Sequence, residues 1–316
     1  ERRPLGGRLA TGLAAFDTML PIARGQRIGI FAGSGIGKSS LLADLARGVE
    51  AERVVLVLIG ERGREVGGFL REALDDAARA RMTAVVATSD ASPLIKRRAA
   101  WTGMAVAEAY RDQGAHVLFL MDSLTRFAEA HREVALTAGE PPSLRAYPPS
   151  TAALIAGLAE RAGPGRDAAG EGDITGIFTV LVAGSDMEEP VADITRGILD
   201  GHVILDRTIA ERGRFPAIDV RRSVSRSLPG AATEEENALI AEARRHLGTY
   251  DQALPMIQTG LYQPGSDPEI DAAMRVFPAL DALMGAKSAS VADSFAALKA
   301  ALARAGAPAA AEEKTG

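Results

Sequence analysis

The stretch Phe31-Ala-Gly-Ser-Gly-Ile-Gly-Lys-Ser-Ser40 (FAGSGIGKSS) follows directly on the apolar run RIGIF at 27–31. A buried strand, a glycine-rich turn and a Gly-Lys-Ser step opening a helix form the arrangement that wraps phosphates. Backbone N–H groups of Gly33, Ser34, Gly35, Ile36 and Gly37 are expected to point into one concavity. The helix beginning at Lys38 adds the positive end of its dipole. Lys38 is expected to bridge the β- and γ-phosphate oxygens of a nucleotide, Ser39 to ligate Mg²⁺, and Ser40 to complete the loop. The strict pattern has glycine at position 32; Ala32 serves if its φ stays negative.

Around this loop, short β-rich runs alternate with helical stretches. Strands are expected at 27–32, 54–60, 84–88, 117–121, 176–183 and 202–205, with helices at 38–49, 65–80, 94–113 and 124–136. Continuous apolar strands separated by helices indicate an α/β fold with a mainly parallel sheet covered on both faces. Two Gly/Pro-rich interruptions, 139–150 and 163–173, read as loops. Two further strand ends carry acids: Glu61 after VVLVLIG and Asp122 after HVLFLM. Asp122 stands where a Walker B aspartate holds Mg²⁺ through its water shell, the alternative being a cap for the helix that follows. Glu61 can polarise a water attacking the γ-phosphorus, and Arg62 beside it can touch phosphate or position Glu61. Lys38, Glu61 and Asp122 are expected to converge outside the carboxyl edge of the sheet, where such folds bind ligands.

The bulk numbers exclude several classes. With 316 residues, 47% hydrophobic and 24% charged, the chain buries a large core. Its net charge of −5 provides no basic excess for a nucleic-acid partner. There is no cysteine for a disulfide or thiolate site, and the four histidines lack ligand spacing. No apolar run is long enough for a membrane-spanning helix. The start at Glu1 rather than Met leads us to expect a piece of a longer protein.

Beyond SVSRSLPGAAT the β signal ends. Thr233 and the acids after it open a helix, and further helices are expected at 250–261, 267–284 and 291–304. In the last of these, Val291, Phe295, Leu298 and Leu302 form one apolar stripe suited to core packing. The expected division is a nucleotide-binding domain at 1–230, a helical domain at 231–305 and a disordered tail at 306–316.

Several longer stretches together resemble the catalytic subunits of rotary ATPases, and most of all the type III secretion and flagellar export ATPases. They are GQRIGIFAGSGIGKSSLL, LIGERGREV, MDSLTRFAEAHREVAL, GEPP with YPPS, ILDGHVILDR, FPAIDVRRSVSR and YQPGSDPEID, in order from about residue 8 to 285. The resemblance implies a RecA-like P-loop core followed by a small helical domain, and ATP hydrolysis with Mg²⁺ driving protein export. It matches Lys38 and Ser39 to the phosphate lysine and Mg²⁺ ligand, Glu61 to the water-activating glutamate with Arg62 beside it, and Asp122 to the Walker B aspartate. Arg226 matches an arginine reaching into a neighbouring subunit's site, and Phe215 an aromatic that packs on adenine; Tyr262 lies where a C-terminal segment could close the base pocket. The implied assembly is a homo-hexamer in the full-length protein, with a stalk protein, an N-terminal regulator and export chaperone–cargo complexes as partners. It is cytoplasmic and peripheral to the membrane export gate. The family's N-terminal β-barrel is absent from this chain, so the chain by itself is expected to be monomeric with weak activity. The competing readings are an injectisome ATPase, a non-catalytic nucleotide-binding ring subunit and an RNA translocase.

Overall fold

The computed structural model describes residues 2–183 and 187–306. A helical turn α1 (Ala14–Asp17) precedes β1 (Arg27–Ala32) and α2 (Lys38–Gly48). Then come β2 (Arg53–Ile59), α3 (Gly63–Gly68), a π-helical turn (Phe69–Ala73), α4 (Asp76–Ala80) and β3 (Met82–Ala87). The chain continues through α5 (Pro93–Asp112), β4 (Val117–Asp122), α6 (Leu124–Thr137), α7 (Ser150–Ala159) and β5 (Ile174–Leu181). It goes on to α8 (Pro190–Ile198), β6 (Gly201–Leu205), α9 (Arg207–Glu211) and β7 (Ile218–Ser225). Three helices end it: α10 (Glu234–Gln258), α11 (Pro268–Met284) and α12 (Val291–Leu302).

One seven-stranded sheet runs β3-β2-β4-β5-β1-β6-β7. Its first six strands are parallel and β7 is antiparallel to β6. Strand side chains alternate between two apolar clusters. Val54, Leu56, Leu118 and Leu120 face the side of α2 and the C-terminal helices. Val55, Val57, Phe119 and Met121 face α5 to α8. Such two-sided burial makes these strands continuous apolar runs. The fold is the expected α/β one, with a mostly parallel sheet and a helical C-terminal region. Among the described residues no helix is long and apolar enough to cross a membrane.

Several elements depart from the sequence reading, with α1, α8 and α9 among the helices that were not expected. β7 lies in a stretch where no strand was expected, because its inward positions include serines rather than aliphatic residues. Ser223 and Ser225 are buried and satisfied, the Ile204 N–H donating to Ser223 Oγ at 2.9 Å and Ser225 Oγ donating to the Pro21 carbonyl at 2.6 Å. The single helix expected at 65–80 is broken: Leu74 is extended, and Asp75 caps α4 by accepting from the Ala78 N–H. α7 fills the stretch between the loops 139–150 and 163–173, to which no element was assigned. Finally, the helix opened by Thr233 and the one expected at 250–261 are one element, α10, with Gly248 inside it. A helical glycine costs about 1 kcal/mol; the flanking buried Leu247 and Ala253, and Tyr250 stacked 3.7 Å from Phe277 of α11, outweigh it. Thr233 caps the helix as expected, and Glu236 returns the bond to make the cap reciprocal. The stripe of α12 is core, with Phe295, Leu298 and Leu302 buried. The tail expectation falls, from residue 307 on, outside the described residues.

Candidate functional site

Between β1 and α2 the loop turns through Gly35 (φ +77°) and Gly37 (φ +86°), while Ala32 ends β1 without positive φ. Gly37 is the left-handed N-cap of α2, a conformation that costs glycine nothing. The N–H groups of Gly33, Ser34, Gly35, Ile36 and Gly37 find no protein acceptor among the described residues. Unpaired amides at a helix N-terminus form a ready anion cradle. The loop's outer carbonyl, Ser34 O, accepts from Arg207 at 3.1 Å.

The carboxyl edge of the sheet brings the expected acids to this cradle. Asp122, the last residue of β4, is 3% exposed. The Lys38 ammonium pairs with both of its oxygens, and Thr179 Oγ1 donates to Oδ1 at 2.8 Å. The helix-cap alternative for Asp122 is not realised: Ser123 caps α6, accepting from the Arg126 N–H at 3.2 Å. Glu61 follows β2 through Gly60, whose φ of +76° turns the chain toward the cleft. Its Oε1 lies 3.9 Å from Lys38 Nζ. Burial first, and then the charge of Asp122, raise the Glu61 pKa above the ordinary carboxylate value, with Lys38 opposing. The three side chains therefore meet at one point.

Lys38 and Glu61 open into a cleft of about 1430 Å³ lined by the P-loop, Glu61, Arg62, Arg126, Arg207 and Thr208 among others. A smaller pocket of about 470 Å³ adjoins it, bounded by Ser39, Ser40, Glu61, Asp122, Leu58 and Phe69. Ser39 and Asp122 thus share a wall. Hydroxyl and carboxylate oxygens form a hard donor pair that suits Mg²⁺, which typically binds through one or two carboxylates plus substrate phosphates. Among the described residues there is no cluster of three or more His, Cys, Asp or Glu, so a metal cage made by protein alone is not present there.

The remaining expected residues lie farther out. Arg62 is at the cleft mouth, largely exposed and 3.6 Å from Glu65. The Phe215 ring, 52% exposed, covers Gly37; a Cβ there would come within 3.1 Å of it. Tyr262 is not brought to either cavity: its hydroxyl donates to the Asp267 carbonyl at 3.0 Å and to Asp271 Oδ1 at 2.9 Å in the α10–α11 turn. Arg226 is exposed, just after β7, and its N–H donates to Asp200 O at 2.9 Å. The pairing of Gly201 with Ser225 and of Leu205 with Ile218 puts it at the amino edge of the sheet, about 20 Å along β7 from the P-loop edge.

Several site residues escaped the sequence reading, Arg207 and Thr208 of the cleft wall among them. Arg126, in the first turn of α6, packs against Gly60, lines the cleft and donates to Glu129 at 2.8 Å. Thr179 is the donor to Asp122. Its one visible signal is a lone hydroxyl amid the apolar run IFTVLV.

Residues 12–225 match the ATP synthase alpha/beta family, nucleotide-binding domain, and residues 232–300 match the T3SS EscN ATPase C-terminal domain. The flagellum-specific ATP synthase of Caulobacter vibrioides is 46% identical over 303 residues, which cover 94% of this chain and 68% of that protein. The chain spans less than two thirds of several other curated relatives it matches, 62% of the Salmonella typhimurium flagellum-specific ATP synthase for example. The assembled ATPase EscN of the enteropathogenic E. coli type III secretion system superposes with a TM-score of 0.89 at 40% identity, over 95% of this chain and 73% of that one. EscN in complex with its central stalk EscO superposes at 0.86 and 40% identity, over 96% and 72%. The chain thus belongs to the ATP synthase alpha/beta family, within the group that holds the flagellum-specific ATP synthases and type III secretion ATPases.

Proposed function

We propose that this chain is the catalytic part of an Mg²⁺-dependent ATPase that energises protein export through a flagellar type III secretion system. The observation that carries the proposal is the meeting of Lys38, Glu61 and Asp122 beside an amide-lined loop. In this reading the amides of Gly33 to Gly37 and Lys38 hold the phosphates, Ser40 supports the loop, and Ser39 with Asp122 holds Mg²⁺, the latter through water. Mg²⁺, when bound, neutralises charge on the phosphate oxygens. Glu61 takes the proton of the attacking water; its raised pKa strengthens it as a base. Arg62 and Arg126 face the cleft and offset negative charge there. Phe215 packs on the base. Tyr262 is left a base contact only if the α10–α11 turn moves.

Arg226 lies too far from its own chain's P-loop to act there, which favours a role in a neighbour's site within a homo-hexamer of the full-length protein. An arginine supplied across an interface is worth roughly 10³–10⁵ in rate. We take residues 1–230 as the nucleotide-binding domain and 231–305 as the helical domain. A stalk partner is supported by the likeness to EscN, solved with its stalk EscO. An N-terminal regulator, chaperone–cargo complexes and attachment at the inner face of the cytoplasmic membrane complete the proposal, and the flagellar choice follows the flagellum-specific relatives.

The test is phosphate release from Mg²⁺-ATP by the full-length protein and its Glu61→Gln form. Turnover is expected to fall about 10²–10⁴-fold with nucleotide affinity retained. A variant as fast as the parent removes Glu61 as the base; a parent that binds ATP without turnover favours a passive ring subunit.

A further inference from the structure

We propose that Thr179 is a positioning residue for Asp122: it occupies one carboxylate oxygen so that the other is presented to the pocket shared with Ser39. The proposal rests on the reading of the cleft as an Mg²⁺-ATP site and adds to it a residue from a strand that carries none of the expected groups.

Thr179 sits on β5, between the strand that ends in Asp122 and the strand that leads into the P-loop. It pairs in register with Ile30 of β1, while Phe178 pairs with Met121 of β4. Its relative exposure is 0%, and Phe178 and Val180 flank it in an apolar strand. A hydroxyl placed there needs a partner, because an unsatisfied one is costly to bury. The partner is Asp122 Oδ1, at 2.8 Å. An ionised carboxylate only accepts, so the hydroxyl proton is committed to it. The β-branched side chain is stiff about χ1, so the donor is fixed by the backbone of β5.

Lys38 also pairs with Asp122, yet the phosphates compete for that ammonium. When Lys38 turns to them, Thr179 remains as the side-chain donor that fixes the rotation of the Asp122 carboxylate. Asp122 would then offer Mg²⁺, when bound, a preset oxygen instead of a freely turning group. Preorganisation of this kind strengthens metal-dependent binding and the chemical step more than it strengthens nucleotide binding as such.

The experiment compares the 316-residue chain with its Thr179→Val and Thr179→Ser variants. ATP affinity is titrated calorimetrically in Mg²⁺ and in EDTA, and turnover is measured in the full-length protein. Valine keeps the shape and removes the donor; serine keeps the donor and loses a methyl. Thr179→Val is expected to lose about tenfold or more of the Mg²⁺-dependent gain in ATP affinity. Its affinity in EDTA should be unchanged, and kcat should fall more than KM rises. Thr179→Ser should restore most of the gain. Parental Mg²⁺ dependence in Thr179→Val overturns the proposal, as does a serine variant no better than valine, since the effect would then be one of packing. Asp122→Asn, run alongside, separates the two levels. If it leaves Mg²⁺ dependence intact, the assignment of Asp122 fails and takes Thr179 with it; if it abolishes that dependence while Thr179→Val does not, Thr179 alone is excluded.

Discussion

At Glu61, burial and the charge of Asp122 favour the protonated carboxyl, and Lys38 only partly offsets them. A folded-state pKa above the unfolded value of about 4.3 gives a stability contribution that is present below the unfolded value. It is lost as pH rises through the folded one. Glutamine removes that dependence. Glu61→Gln is therefore expected to melt at a higher temperature than the parent at neutral pH, with the gap closing toward pH ~4. Thermal denaturation across this range checks it, and a gap independent of pH would point to packing instead. Lys38, Glu61 and Asp122 were legible in the sequence because each follows a continuous apolar run, and the carboxyl ends of parallel strands share one edge. Thr179 and Arg126 were not. A hydroxyl inside a strand reveals its partner only once the strand order is known, and Arg126 reaches Gly60 only because β2 and β4 are neighbours.

Helix α5 shows how closely an element can lie on the sheet. A Cβ on Gly103 would stand 2.2 Å from Val57 Cγ2, a rigid branched side chain in the middle of β2. Gly103→Ala should destabilise the fold by about 1–3 kcal/mol, seen as a lower denaturation midpoint with unchanged slope. An unaltered midpoint would mean that α5 can shift outward freely. Apolar strands and capped helices were legible at this scale, the Thr233 cap among them. Edge strand β7 was hidden because serines bonded to backbone groups take inward positions that aliphatic residues usually mark. The length of α10 was hidden because Gly248 reads as a break, although neighbouring side chains pack well enough to carry the helix through it.

Across the whole molecule, the C-terminal helices are tied to the nucleotide-binding core. Leu280 and Leu298 share one apolar cluster with Ile28 and Leu56 of the sheet. Arg244 of α10 donates to the Val220 and Met19 carbonyls at 2.9 and 3.0 Å. Arg214, next to Phe215, lies 3.0 Å from Asp281 of α11 and donates to the Pro216 and Ile218 carbonyls. Such links join residues far apart in the chain, so local patterns do not reveal them. They connect the segment bearing Phe215 with the C-terminal helices. The most direct measurement is a crystal structure of this chain with Mg²⁺ and a non-hydrolysable ATP analogue. The expected result has the triphosphate in the Gly33–Gly37 loop, Lys38 moved from Asp122 onto its oxygens, Glu61 one water from the γ-phosphorus, and the chain's own Arg226 still at the opposite sheet edge. A triphosphate bound elsewhere, or Glu61 and Asp122 turned away from it, would contradict a single site built by these three residues.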